Sequence, residues 1–364
     1  MPSSCSGGER RGAVPADCLL IRSSLMTLSI LRAAGLAFLV AGGLNAAAFA
    51  QSAPPAKSEP VVWELIDEYP ASAIPGQADA TFAAAVEKAT GGKLVIQPIP
   101  DAKSGLRSRE QLKAVSEGRF AMADSFGGAL AEDSPLFLLS SLPFLTASAD
   151  EARQLYVAAR PLYEAEFARR GQKLLFVTPW PPSGIWSAEA VSSPAALKAL
   201  KIRTYDQTGA ELFAATSTRA AVVSFSDLMP KLKTGEFNAV LSSGDGGAGR
   251  ELWVHVRHFS QITYAVPLSF GTVSLTAWNA LDPQTQAAVL RAGEETTQAQ
   301  WKAMEGRVAA NYQRMRENGV VIDEAPPAAV MDLLRTAASK SIVRWRTTVT
   351  PEAAAVLDTF AATR

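Results

Sequence analysis

From residue 61 onward the chain alternates short runs of strand-forming residues with longer amphipathic stretches. Residues 61–66 (VVWELI) read as a strand, and 75–90 carries Phe82 and Val86 at helical spacing before Gly91 and Gly92 end the helix. Residues 93–99 predict a second strand. Ser108-Arg-Glu-Gln has the form of a capping box that opens a helix closed by Gly118, and 119–125 is a third short strand. The order is β-α-β-α-β. Ser148-Ala-Asp-Glu is a second box, predicting a helix to about Arg170 before Gly171, with a strand at 173–177 behind it.

The alternation then starts again. Pro194 opens a helix, 201–205 is a strand, 210–215 a helix and 220–225 a strand. Ser226 caps a helix that ends at Gly235, and 237–242 is one more strand. A second α/β unit is the economical reading. Residues 262–278 are rich in β-formers, enough for a strand pair returning through both units. Residues 281–318 are nearly all helix formers and predict one very long helix or a kinked pair, stopped by Gly319. A short strand at 320–323 and helices after Pro326 and Pro351 complete the chain. On this pattern the first lobe takes 61–178 with about 270–305, and the second takes 179–269 with about 306–364.

Upstream of the fold the pattern changes character. Met26 to Arg32 is a short basic start, followed by an apolar stretch and a small-residue site at Ala48-Phe-Ala50, the layout of a cleaved signal peptide over 26–50. An uncleaved membrane anchor is the alternative, for which the apolar stretch is barely long enough. Residues 1–25 precede this complete signal without periodicity and read as an upstream extension, with Met26 as the alternative start. Residues 51–60 form a Pro-rich linker. Both cysteines, Cys5 and Cys18, fall in the upstream piece, so a chain cleaved before Gln51 has no thiol for a disulfide, a nucleophile or a metal. The location expected is the periplasm.

Composition narrows the function. The 364 residues suffice for two domains, and 48% hydrophobic with 19% charged residues is the profile of a folded chain. Equal numbers of acidic and basic side chains, 35 of each, leave no electrostatic footprint for nucleic acid. Catalytic chemistry is thinly supplied. His255 and His258 have a spacing that would share a helix face, but no third ligand accompanies them, so no metal site is assigned. Gly244-Asp-Gly-Gly-Ala-Gly249 invites a phosphate-loop reading without the Lys-Ser/Thr ending, and a turn before Arg250 is the simpler account. No cofactor is expected.

Arg203 is more informative. It ends a predicted strand, where open α/β sheets place ligands, and a guanidinium there grips a carboxylate through two parallel bonds; a surface ion pair is the competing reading. Tyr69, Phe126, Trp180, Trp186 and Phe225 lie in or near the connections after strands and form either a pocket wall or ordinary core.

The segments FAAAVEKATGGKLVIQPIP (82–100), EQLKAVSEGRFAMADS (110–125), LPFL (142–145), ALKALKIRTY (196–205) and SDLMPKLKTGEFNAV (226–240) occur in an order and spacing that resembles the extracytoplasmic solute receptors of TRAP transporters, the DctP-type family, over the whole mature chain. The resemblance implies a two-lobed, periplasmic-binding-protein-like α/β fold with crossed-over lobes and a long helix in the C-terminal half, acting as a monomer that captures a small organic acid for a membrane permease. It places the ligand-binding arginine of the family's KIR motif on Arg203. A second arginine of some sugar-acid receptors falls near Ser183, the usual acidic residue of the TG-x-x-D motif is Asn238, and LSSGDGG replaces a QENP-like run, which makes Ser242, Ser243 and Asp245 candidates for the floor. Trp180 and Trp186 suggest a flat, apolar ligand such as an aromatic or keto acid. Two other functions use the same residues: an exported enzyme pairing Glu68 or Glu132 with Asp245 in the cleft, and a sensory receptor with the same fold.

Overall fold

A computed structural model describes residues 59–362. The signal peptide, the upstream extension, both cysteines and most of the linker lie outside the described residues.

The first stretch runs β1 (Val61–Asp67), α1 (Ile74–Thr90), β2 (Leu94–Ile99), α2 (Ser108–Ser116), β3 (Met122–Phe126), two 3-10 turns, α3 (Ala149–Arg169) and β4 (Gln172–Pro179). The second comprises β5 (Ser183–Ser187), α4 (Pro194–Lys198), β6 (Lys201–Thr204), α5 (Gln207–Ala215), β7 (Arg219–Val222), α6 (Leu228–Lys233), β8 (Ala239–Ser243), α7 (Gly244–Gly249) and β9 (His258–Ser260). The chain then continues through β10 (Leu268–Ser274), α8 (Leu275–Asn279), α9 (Pro283–Glu317), β11 (Val321–Asp323), α10 (Ala328–Thr348) and α11 (Pro351–Ala362).

Two sheets result. The first has the order β2-β1-β3-β10-β4 and the second β11-β9-β5-β8-β6-β7. In each, one strand runs against its neighbours: β10 is antiparallel to β3 and β4, and β5 is antiparallel to β8 and β9. Every residue of β3, β5, β8 and β10 is buried, as expected of central strands covered on both faces. The chain passes from the first sheet at β4 to the second at β5, returns at β10 and goes back at β11, so each lobe is discontinuous in sequence.

Residues 281–318 form one helix, α9, not a kinked pair. Its 35 residues span about 50 Å at the α-helical rise. It packs on α1 and β4 and also on α7, so it braces both lobes. The contact with β4 depends on Gly293, where a Cβ would stand 2.3 Å from the Leu175 carbonyl oxygen.

Four local expectations are corrected. Ser108 and Ser226 were both expected as helix caps; the Ser226 hydroxyl is drawn away by Glu68, whereas Ser108 meets Glu68 only through its backbone N–H and its hydroxyl has no partner among the described residues. The Ser108 N–H donates to Glu68 Oε2 at 2.9 Å, and the Ser226 N–H and hydroxyl both donate to Oε1 at 3.0 Å. The α2 frame therefore moves back by one residue, with Glu110 accepting the Arg107 N–H at 2.8 Å. Ser148 does cap α3, its hydroxyl accepting the Glu151 N–H at 3.1 Å. Residues 262–278 supply one strand, β10, instead of a pair. The preceding segment forms isolated cross-connections, including Tyr264 N–H to Ser183 O at 2.8 Å, and Pro267 has no N–H to extend a ladder. His255 and His258 share no helix face: the first follows a 3-10 turn and the second opens β9.

The last helix also departs from its expected place. Whereas α10 packs on α4 and α5 of the second lobe, α11 packs on α3 of the first. Ala353, Val356, Leu357 and Phe360 form a helical stripe that joins a core with Leu155, Tyr156 and Ala159.

Candidate functional site

The two sheets present the same kind of edge to a shared cleft. Parallel strands contribute residues from their carboxyl ends and antiparallel strands from their amino ends, the usual arrangement for ligand sites in open α/β sheets. Tyr69 follows β1, Phe126 ends β3, Trp180 follows β4, Tyr205 follows β6 and Phe225 lies beyond β7. Ser183 begins β5 and Pro267 precedes β10. Ser242 and Ser243 end β8, and Gly246 lies in α7. Together with Arg203 of β6, these residues line a narrow space of about 310 Å3 with the solvent at its mouth included.

The aromatic wall is continuous. Tyr69 has its ring centroid 4.6 Å from Trp180 and 4.7 Å from Phe225, and Phe126 meets Tyr205 at 5.2 Å in an edge-on contact. Polar tips are fixed from behind: Trp180 Nε1 donates to Ser269 Oγ at 3.0 Å, and the Tyr205 hydroxyl donates to Ser183 Oγ at 3.2 Å. Burial pushes the Tyr69 and Tyr205 hydroxyls well above the usual phenol range, helped by Glu68 at Tyr69 and Asp206 at Tyr205. Both therefore act as neutral hydrogen-bonding groups.

Arg203 is 2% exposed. Its Nε donates to the Val223 carbonyl at 2.7 Å and Nη1 reaches the Leu241 carbonyl at 3.5 Å. These bonds fix the guanidinium plane and leave its other N–H groups for the cleft. Among the described residues no carboxylate pairs with it, although Glu68 and Asp206 act on it through space. Burial lowers its pKa from the ordinary value, yet arginine keeps its proton throughout the physiological range. A buried cation bonded only to carbonyls is an incomplete arrangement that an anion completes.

Beyond Arg203 a second space of about 720 Å3 continues outward, sharing Tyr69, Phe126, Arg203, Tyr205 and Phe225 with the first and adding Glu68, Arg109, Glu132, Asp206 and Gln207. Asp206 caps α5, its Oδ1 accepting the Gly209 N–H at 2.8 Å, and burial raises its pKa to about 7 against that bond. Around the rim the lobes are bonded to each other. Besides the Glu68 contacts, Arg107 pairs with Asp227 at 2.6 Å, and Arg250 pairs with Asp101 at 3.0 Å and lies over the Phe225 ring.

Of the residues singled out from the sequence, Arg203, Tyr69, Phe126, Trp180, Phe225, Ser242 and Ser243 come together in this cleft. Trp186 does not line it. Its ring is fully buried against Phe259, and its Nε1 donates to the Ser243 carbonyl at 3.1 Å, behind α7. Asp245 also points away, accepting the Ile74 N–H at 3.0 Å and bonds from Arg307 and Asn311. The enzyme reading loses its pairing on this ground, because Asp245 shares no cleft with Glu68 or Glu132. The glycine-rich run is a short helix, α7, not a turn or phosphate loop. No cluster of potential metal ligands occurs among the described residues. Tyr205 was not singled out in the sequence, although it directly follows the strand that carries Arg203, the same kind of position as Tyr69 and Trp180.

Comparison with known proteins agrees with this geometry. Residues 67–342 match the DctP family profile, described as bacterial extracellular solute-binding protein, family 7. The chain is similar to two Bordetella pertussis extracytoplasmic solute receptors that bind pyroglutamic acid. DctP6 is 26% identical, with 83% of this chain and 100% of that one covered at a TM-score of 0.79. DctP7 is 25% identical, with 83% and 99% covered at 0.80. A TRAP periplasmic solute-binding protein from Roseobacter denitrificans with bound β-D-glucuronate shares the fold at 18% identity, with 83% and 100% covered and a TM-score of 0.76.

Proposed function

Because the chain belongs to the DctP family of bacterial extracellular solute-binding proteins, we propose that it captures a compact organic monocarboxylate in the periplasm and delivers it to a TRAP-type membrane permease. The observation that carries this reading is Arg203, a buried guanidinium oriented by two backbone carbonyls and lacking a carboxylate partner among the described residues. A ligand carboxylate supplies the missing charge. One charged hydrogen bond is worth about 1.5–3 kcal/mol whereas micromolar binding requires about 8. Burial of a ring against Tyr69, Phe126, Trp180 and Phe225 contributes the remainder.

The space favours a small ligand, and Ser183, bonded to the Tyr205 hydroxyl, supplies a polar group where a second carboxylate would need a cation. Pyroglutamate is the first candidate, since the two similar receptors from B. pertussis bind it. Its flat lactam suits aromatic walls, and its amide suits the serine and tyrosine hydroxyls. Removal of residues 1–50 by signal cleavage is part of the same proposal, and mass measurement of the exported protein checks it.

The test is a thermal-shift series on the mature chain with pyroglutamate, aromatic acids, keto acids, dicarboxylates and uronates. Pyroglutamate at about 100 times its Kd should stabilise the fold by about 2.7 kcal/mol. A larger shift with a uronate or dicarboxylate would reject the monocarboxylate assignment, and no shift with any acid would reject ligand capture at Arg203.

A further inference from the structure

The part of the ligand floor formed by Ser243 and Gly246 belongs to a helix that its own sequence does little to support. Four of the six residues of α7 are glycine, among the poorest helix formers, and one and a half turns are too short to be stable alone. The glycines are needed for close approach. A Cβ at Gly247 would stand 2.1 Å from the Trp186 ring, and one at Gly246 would stand 2.6 Å from Ser242 Oγ. The conformation must therefore be held from outside. Ser243 caps α7 through Gly246 N–H at 3.1 Å, and Trp186 holds the Ser243 carbonyl.

The remaining hold is Asp245, the one charged residue of the helix, whose carboxylate is buried. One oxygen accepts the Ile74 N–H at 3.0 Å, at the start of α1 in the first lobe, where Ala73 offers no side-chain cap. The other accepts from Arg307 Nε and from Asn311 Nδ2 at 3.1 Å, both on α9. Arg307 in turn bonds Gln77 Oε1 and, at 2.9 Å, the Ser72 carbonyl, so the same cation holds the approach to α1. One side chain thus joins the floor, the first lobe and the bracing helix.

We propose that Asp245 is a positioning residue for ligand binding: without touching ligand, it sets the place of Ser243 and Gly246 by tying α7 to α1 and α9. The proposal rests on the reading of the cleft as the ligand site. It also says why an acidic residue sits on a carboxylate receptor's floor: its charge is neutralised by Arg307 on the far side of α7 and does not face the ligand.

Hydrogen exchange on the ligand-free mature chain, combined with calorimetric titration of pyroglutamate, tests this with Asp245→Asn and the milder Asn311→Ala. In Asp245→Asn, amides of 243–249 and 74–78 should exchange at least about tenfold faster while β5, β6 and β8 upstream of Ser243 stay protected, and pyroglutamate should bind about tenfold more weakly. Asn311→Ala should show the same pattern to about threefold. Loosening confined to 74–78, with 243–249 unchanged, would make Asp245 a cap for α1 alone and overturn the proposal. So would a loosened floor with undiminished affinity, or uniform loosening of the whole chain in both variants. If the unmodified protein fails to bind pyroglutamate, the ligand assignment falls, and the affinity comparison is made instead with whichever acid gives the largest thermal shift, with the same outcomes deciding the role of Asp245.

Discussion

At the scale of single residues, Arg203 carries two burdens that substitution separates. Arg203→Ala removes the ligand's anion partner and leaves the carbonyls of Val223 and Leu241 without their donor. Losing a charged hydrogen bond worth about 1.5–3 kcal/mol should weaken pyroglutamate binding by about 10–150-fold, and the orphaned carbonyls should lower stability by about 1–3 kcal/mol. Arg203→Lys keeps the charge but lacks the planar fork, so intermediate affinity is expected. Calorimetric titration with urea unfolding measures both effects, and an alanine variant binding within about threefold of the original would remove Arg203 from the anchoring role. How visible such residues are in a sequence depends on strand direction. Tyr69, Phe126, Trp180 and Phe225 were legible because their preceding strands point at the cleft. Trp186 misled because β5 runs the other way, so its first residue, Ser183, reaches the cleft while Trp186 ends in the core. Asp245 misled because a helix turns its side chain to the back of the floor, a direction that a glycine-rich run does not announce.

Elements were legible where local physics decides them. Strand runs, Ser148, Pro194 and the glycines after helices mark their boundaries without help from distant residues. The backbone N–H groups of Ser108 and Ser226 are both held by the distant Glu68, which also takes the Ser226 hydroxyl, and the irregular segment before β10 is satisfied by partners in both lobes, neither of which is written locally. The long helix α9 shows the same division. Gly293 has a Cβ position blocked by the Leu175 backbone, whereas Gly306, on the same helix, has nothing within 4 Å. Gly293→Ala must push α9 from β4 and should destabilise by about 1–3 kcal/mol, the range for overpacking. Gly306→Ala should instead stabilise by about 0.5–1 kcal/mol, since alanine restricts the unfolded chain and favours helix. The two urea midpoints should move in opposite directions, and a shared direction would refute the close-approach account of α9 on β4.

For the molecule as a whole, the first lobe contains an unusual concentration of buried acid. The register of β1 and β3 places Asp67 opposite Asp124, and Asp79 on α1 joins them. All three are fully buried; Asp67 Oδ1 accepts the Tyr69 N–H at 2.9 Å, and the Asp79 and Asp124 carboxyls face each other within hydrogen-bond reach. Burial raises Asp67 and Asp79 well above the usual carboxylate range, with Asp124 adding to both, and burial raises Asp124 to about 7 despite the opposing effect of Asp79. Glu68 is a further acidic neighbour of Asp67. A proton kept on Asp79 supplies a donor to Asp124 and relieves the repulsion. Since the folded-state values are raised, this contribution to stability is fully present below the unfolded value of 3.8 and is lost as pH rises through the folded values, about 7 for Asp124. Each proton taken up on folding in that window makes stability fall by about 1.4 kcal/mol per pH unit of rise. Asp206, also raised to about 7, acts in the same direction from the second lobe. The unfolding midpoint in urea should therefore fall between pH 5 and pH 8. Asp79→Asn, which supplies a permanent neutral donor, should flatten that slope and raise the midpoint at pH 8, while Asp206→Asn should remove a separate part of it. A midpoint that is constant or rises over this range would show that the three aspartates do not retain a proton in the folded protein. Because Asp67 holds the Tyr69 backbone, the same proton should influence the cleft wall, so pyroglutamate affinity should also weaken toward pH 8 and become less pH-dependent in Asp79→Asn.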